Sequence, residues 1–444
     1  MPGFTPNVPE EWIRLAPPPR PLADGEGYTA FLSYRSVDRP WAVNLYDVLR
    51  RFGHTVFLDQ CVLVPGQRLA TSLEDGLMRS QAGVLVWSSA ARDSEWVRDE
   101  YAFMHQRSRE KPGFGFVPLR LDATPLPPFA AGRFFLDFSA YPDGPAGGEL
   151  LRLLYALVGM PLSIDGVRFA LEQDEQSRIA AAQVETALET GDADRLLELH
   201  RDGGLPWRVS AALGCRAAHA LLKLNAHGPA LEMLDRLIAD FPRAIRPKQL
   251  KALTLNRRAR RAGPAPQADA DIRAAQRIAG DLYHLGERDP ETLGIYAATW
   301  MARYERSNDL ADLRQSRDRY AEAFTAAKDD YYVGINAASK SVLLNTPADA
   351  ARGADLAREV EAIVGTAAVP GDYWRTATAA ECRLILGDVE AAAALYRAAV
   401  DDAPRLRGEH ESTWLQAARL MQALGLSAST RAAVRQAFGH LPDP

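Results

Sequence analysis

Between residues 28 and 160, short apolar runs alternate with longer stretches in which apolar residues recur every three or four positions. The runs at 28–33, 54–58, 83–87, 116–121 and 134–137 have the length of strands. Between them lie amphipathic segments at 39–51, about 69–79, about 94–107 and 150–157; the first buries Trp41, Leu45 and Leu49, and Gly53 stops it. Asp38 is the expected N-cap of that first helix. Strands that are apolar throughout are covered on both faces, and their alternation with helices predicts a doubly wound parallel sheet. Before it, residues 1–24 are proline-rich, with Pro17, Pro18, Pro19 and Pro21, and read as an extended or disordered lead-in.

After Pro161 the strand-like runs cease, and alanine and leucine fall at helical spacing to the end of the chain. Gly387, Ala392, Tyr396, Ala399 and Pro404 sit at the offsets of the tetratricopeptide unit, a helix pair of about 34 residues. Ala230, Leu234, Leu237 and Pro242 give a weaker copy, and Tyr320 with Ala323 a third. One such pair cannot bury its own apolar face, so the units stack into a solenoid. Gly263 and Pro264 mark a break between repeats. The expected organisation is a lead-in at 1–24, an α/β domain at 25–160 and an all-α repeat domain at 161–444.

Composition narrows the function classes. The chain has 444 residues, 47% of them hydrophobic and 25% charged, with a net charge of −5. No basic excess points to bulk binding of nucleic acid. The run Arg257, Arg258, Arg260 and Arg261 reads as a solvated helix end rather than a phosphate patch. Cys61, Cys215 and Cys382 form no pair or cluster, which fits a reducing compartment. Eight histidines lack metal-like spacing, so no metal is expected. The start has no basic residue followed by an apolar stretch, and no apolar run approaches the roughly 20 residues of a membrane span. A cytoplasmic location without membrane contact is the expectation.

Four stretches of the first domain resemble the TIR (Toll/interleukin-1 receptor) family: Tyr28 to Arg35 with Asp38, Phe57 to Asp59 with Leu63, Pro65 and Gly66, Ser94 to Glu100, and Phe134 to Phe138. The resemblance implies a flavodoxin-like parallel sheet whose ligand sits at the carboxyl ends of the strands. It further implies that Glu100 is the catalytic residue of an enzyme that cleaves NAD+. Trp96, Tyr34, Arg35, Phe31, Ser33, Asp59 and Leu63 would then contact substrate, and Pro65 and Gly66 would shape a loop governing self-assembly. No bound cofactor is implied, since NAD+ enters as substrate. The helical part is similar to the tetratricopeptide-related modules fused to bacterial TIR domains, on the stretch Asp330 to Ala338. The name TRAF-binding, sometimes given to such modules, establishes no partner here.

The residues themselves suit that chemistry. Trp96 and Glu100 are four apart on an expected helix and so share a face. Breaking the bond between nicotinamide and ribose leaves an oxocarbenium-like sugar, which a carboxylate can stabilise. Nicotinamide in NAD+ is already cationic and leaves without a proton donor, unlike the leaving group of a glycoside. An indole can stack near the pyridinium. Against this stand two plain facts: helical glutamates are usually solvated, and tryptophans usually pack. Three functions follow: an NAD+ glycohydrolase activated by self-assembly and serving immune or antiphage defence, a cyclase releasing a cyclic ADP-ribose, or a non-enzymatic scaffold or adaptor. The helical domain presents a surface for a protein or peptide ligand and, in the first of these readings, regulates the TIR domain.

Overall fold

The computed structural model describes residues 8–58, 69–92, 94–127, 130, 134–263 and 265–442, with backbone alone at 69–72, 95–96 and 98. Asp59, Cys61, Leu63, Pro65 and Gly66 lie outside the described residues, as does the side chain of Trp96. The chain forms two compact units, residues 1–258 and 259–444.

The lead-in is not simply extended: Glu10–Leu15 form helix α1. Proline density marks chain without sheet or long helix, but it does not prevent one apolar anchor from docking a short turn. Trp12 is that anchor, fully buried and edge-on to Phe169 and Phe52. The Tyr155 hydroxyl also donates to the Leu15 carbonyl at 3.0 Å.

The α/β part follows as β1 (Ala30–Ser33), α2 (Arg39–Arg51), β2 (Val56–Phe57), α3 (Leu69–Met78), β3 (Ala82–Trp87), α4 (Ser89–Arg92), α5 (Glu95–Glu110), β4 (Gly115–Arg120), β5 (Leu136–Asp137) and α6 (Gly148–Val158). All strand pairs are parallel, in the order β2-β1-β3-β4-β5. This is the flavodoxin-like order, which reverses direction between β1 and β3 and opens a crevice at their carboxyl ends. β3 is central and every one of its residues is buried, which is why its sequence is apolar throughout. The outer strands are shorter than their apolar runs. Phe134, expected in the last strand, is 85% exposed and precedes the paired residues.

Two local choices aim α5. The Ser94 hydroxyl caps it by accepting from the Val97 amide at 3.3 Å. Gly83 of β3 then admits it closely, because a Cβ there would lie 2.3 Å from the Met104 sulfur. Asp38 does not cap α2 through its side chain. Its carboxylate is engaged at the sheet rim instead.

The structural class changes at 159–163, but the compact units divide later. Helices α7 (Ile164–Thr190), α8 (Ala193–Asp202), α9 (Ala212–Lys223), α10 (His227–Asp240) and most of α11 (Ile245–Ala262) belong to unit 1. The stretch 161–444, expected as one domain, is therefore split. Specific bonds hold these helices to the α/β fold. Asp174 accepts from the Gly148 amide at 2.6 Å, and Arg246 pairs with Asp143 at 2.9 Å.

Unit 2 continues with α12 (Pro266–His284), α13 (Pro290–Ser307), α14 (Leu310–Ala326), α15 (Tyr331–Leu343), α16 (Pro347–Val364), α17 (Tyr373–Ile385), α18 (Val389–Asp402), α19 (Arg407–Ala423) and α20 (Ala428–Ala437). Left-handed residues close the turns within the helix pairs of unit 2, Asn308, Asn345, Gly387 and Gly425, as Asn225 does between α9 and α10 in unit 1. The spacings within unit 2, of 37, 42 and 38 residues, exceed the 34 expected. Each of these turns takes the αL conformation that Gly and Asn tolerate best. Ala392, Tyr396 and Ala399 are buried as their spacing predicted, with Tyr396 against Phe438. Arg260, from the basic run, is paired with Glu305 at 3.4 Å.

Candidate active site at the carboxyl rim of the sheet

In a doubly wound sheet the residues just after each strand share one rim. Ser33 ends β1, Trp87 ends β3 and Arg120 ends β4. α5 begins near that rim and runs back along the sheet, so its first two turns face the strand ends. Glu100, Met104 and Val97 fall at helical spacing on one side of α5, and Val97 and Met104 are fully buried against the sheet. Glu100 is thereby turned toward β1.

The contact is direct. The Ser33 hydroxyl, 1% exposed, donates to the Glu100 carboxylate at 2.5 Å. A charge-assisted bond of this kind fixes the acid's rotamer. Residues 67 positions apart are thus joined at the mouth of the crevice.

A second carboxylate, Asp38, lies in the turn after β1, on the same rim. It accepts from the Ser88 hydroxyl at 2.6 Å, and Ser88 in turn accepts from the Ala91 amide at 3.1 Å. Burial raises the pKa of Asp38 from 3.8 to about 6; the Ser88 hydrogen bond opposes this, the charge of Asp122 adds to it and that of Arg35 offsets it. Asp122, after β4, accepts from the amides of Ser89 and Thr124 at 2.8 and 2.9 Å, which anchors the β3 and β4 rim loops to each other.

The other expected site residues separate. The Tyr34 hydroxyl accepts from Arg39 of α2, whose guanidinium lies 5.9 Å from the Tyr34 ring. Arg35 is half-buried near Asp38. Phe31, expected to touch substrate, is 1% exposed and stacked on Phe57 with centroids 5.1 Å apart. It is a core residue, because alternate residues of a strand face opposite sides and its side is the one α3 and α5 cover. Trp96 falls on α5 one turn before Glu100.

Ser88, Asp122 and Arg39 were not singled out in the sequence. Ser88 and Asp122 had a signal: each follows an apolar strand run, where the rim must be. Arg39 had none. Among the described residues, no group of three or more His, Cys, Asp or Glu is placed to hold a metal ion.

Residues 30–152 match the family model for the TIR domain, and residues 226–344 match that for Tetratricopeptide Repeats-Sensor. The chain carries a TIR domain followed by a tetratricopeptide sensor region. Among solved structures it is similar to TTC0263, a thermophilic TPR protein of Thermus thermophilus. The two are 16% identical over 48% of this chain and 98% of that one, with a TM-score of 0.35. No curated protein matches. Among the described residues, no helix is long and apolar enough to cross a membrane.

Proposed function

We propose that this chain, a TIR domain joined to a tetratricopeptide sensor region, is an NAD+ glycohydrolase. The observation that carries the reading is the Ser33–Glu100 hydrogen bond at the carboxyl rim. It holds an acid at the carboxyl rim, where ligands of sheets with this topology bind.

In the reaction, the bond between ribose C1′ and the nicotinamide nitrogen breaks, and its electron pair leaves with the ring, which becomes neutral. Glu100 faces the positive charge that develops on the sugar and stabilises it, an interaction stronger in the transition state than in the ground state. Water then adds to C1′, its proton passes to solvent, and ADP-ribose results. Attack by an atom of the substrate's own adenine would instead give a cyclic product. Trp96 would lie against the pyridinium. The loop that includes Asp59, Leu63, Pro65 and Gly66 would close the site when TIR domains pack together. The sensor region would control that packing, and depletion of NAD+ would serve defence of a microbial cell.

Nicotinamide release from NAD+ is measured across a range of protein concentrations. Activity per chain should rise with concentration, and mass spectrometry separates ADP-ribose from its cyclic form. Glu100→Gln retains a hydrogen-bond acceptor for Ser33 but removes the charge, and should cut turnover by about a hundredfold or more. Full activity in that folded variant overturns the reading. A wild-type chain that assembles but releases no nicotinamide would make Glu100 a structural pin between α5 and β1, and the TIR domain a scaffold.

A further inference from the structure

α2 runs back from the carboxyl rim, so its last residue, Arg51, lies at the opposite edge of the sheet. There unit 1 forms an open cavity of about 580 Å³. Arg51, His200, Arg201, Arg208, Arg236 and Trp207 line it. Three carboxylates line it too, those of Glu10, Glu11 and Asp240. The arginines come from three places in the fold: the TIR helix α2, the end of α8 with the loop after it, and α10.

Arg51 is the central group. It is only 6% exposed, yet its Nη1 has no hydrogen-bond partner. Its Nη2 donates to the Asp240 carbonyl, its guanidinium lies 4.3 Å from the Phe241 centroid, and its ion pair with Asp47 is long at 3.6 Å. Burial lowers its pKa, and Asp47 and Asp240 oppose that. On the other side of the cavity, the Nδ1 of His200 is likewise buried without a partner, and its ring stands 6.0 Å from that of Trp207. Burial and the charge of Arg236 push the His200 pKa down, and the charge of Asp240 opposes them. Folded proteins rarely leave buried nitrogens unpaired unless something else supplies the partner.

We propose that this cavity binds a small anion carrying a phosphate group, held by Arg51, Arg208 and Arg236 and by His200. Guanidinium forks match phosphate oxygens in paired hydrogen bonds. A phosphomonoester carries close to two charges at neutral pH, enough to compete with the exposed partners that Arg236 and Arg201 hold on their own helices, Glu232 and Asp202. The volume lies within the range of small-molecule sites and suits a mononucleotide. The occupant would bridge α2 of the TIR domain to α8 and α10, so binding ties the α/β fold to the helices behind it. The proposal does not rest on the NAD+ reading, because the cavity shares no residue with the rim.

Full-length protein is titrated calorimetrically with inorganic phosphate, AMP and citrate at fixed ionic strength, and its thermal unfolding is followed with each. Saturable one-to-one binding of phosphate and AMP, with a rise in Tm, is expected; citrate should bind more weakly. The double variant Arg208→Ala/Arg236→Ala removes exposed side chains and should keep the ligand-free Tm while weakening AMP by about tenfold or more. Arg51→Met should abolish binding, but it strands Asp47, so the double variant decides if that protein does not fold. Absence of saturable binding overturns the proposal, as does AMP affinity unchanged in the double variant. Citrate binding as tightly as phosphate would overturn the assignment to phosphate.

Discussion

Replacing Trp12 with alanine should release the lead-in and destabilise unit 1 by about 3 kcal/mol. α1 has six residues, too few to be stable alone, so docking holds it in place. The Trp12 side chain is fully buried, with its ring 5.2 Å from that of Phe169 and 6.1 Å from that of Phe52. Truncating an aromatic in such a setting typically costs roughly 3–5 kcal/mol. Each edge-on ring pair accounts for about 0.5–1.5 kcal/mol of that. One feature works the other way: the indole N–H is buried without a partner, which already costs the native protein about 1–3 kcal/mol. The low end of the range is therefore expected for alanine. Trp12→Phe keeps a ring and deletes the orphan donor, so its loss should stay under about 1 kcal/mol. Two compact units make a single global unfolding curve ill-defined. Hydrogen exchange resolved by peptide reads the opening of α1 and of the first turns of α7 directly. Unchanged protection in Trp12→Ala would refute the docking. Trp12→Phe as damaging as Trp12→Ala would refute the cost assigned to the N–H.

Two further expectations rest on single side chains. The folded pKa of Asp38 is raised from 3.8 to about 6. Stability from this group is therefore full below the unfolded pKa near 4 and is lost as pH rises through about 6, at most about 3 kcal/mol. Asp38→Asn should accordingly stabilise the TIR domain at pH 7.5 and change little at pH 4, as read from exchange protection of β1 and α2; equal stability at both pH values would contradict the desolvation. Gly148→Ala places a Cβ 2.1 Å from the Ala170 carbonyl oxygen, a backbone atom that cannot swing aside. It should cost about 1–3 kcal/mol or more and loosen the contact between α6 and α7. A neutral result would mean the helices are not seated as described.

The sheet was legible because strands covered on both faces must be apolar in every position, and β3 is the extreme case, with all six residues buried. The edge strands were overextended because apolar runs record burial, whereas a strand also needs a partner's backbone; Phe134 is apolar and exposed. In the repeats the small-residue positions were readable, but the period was misjudged. A search keyed on glycine finds Gly387 and passes over Asn225, Asn308 and Asn345, which take the same left-handed conformation at φ of 55° to 58°. Asparagine reaches that region because its short amide bonds locally to the backbone. The anchoring role of Trp12 left no periodic trace at all, since a six-residue helix is too brief to show one.

At the site, what could be read was position, and what could not was pairing. Topology alone puts the residue after β1 and the first turns of α5 on one rim, so Ser33 and Glu100 were named without knowing that they touch. Their hydrogen bond depends on how close α5 lies to the sheet. That closeness depends on Gly83, where a side chain would strike Met104. A methyl group at Gly83 would lie 2.3 Å from the Met104 sulfur, so the Met104 side chain would have to shift at the contact between β3 and α5. Phe31 lies two positions before Ser33 on the same face of β1 and is equally buried, but it stacks on Phe57 within the core, whereas Ser33 meets Glu100.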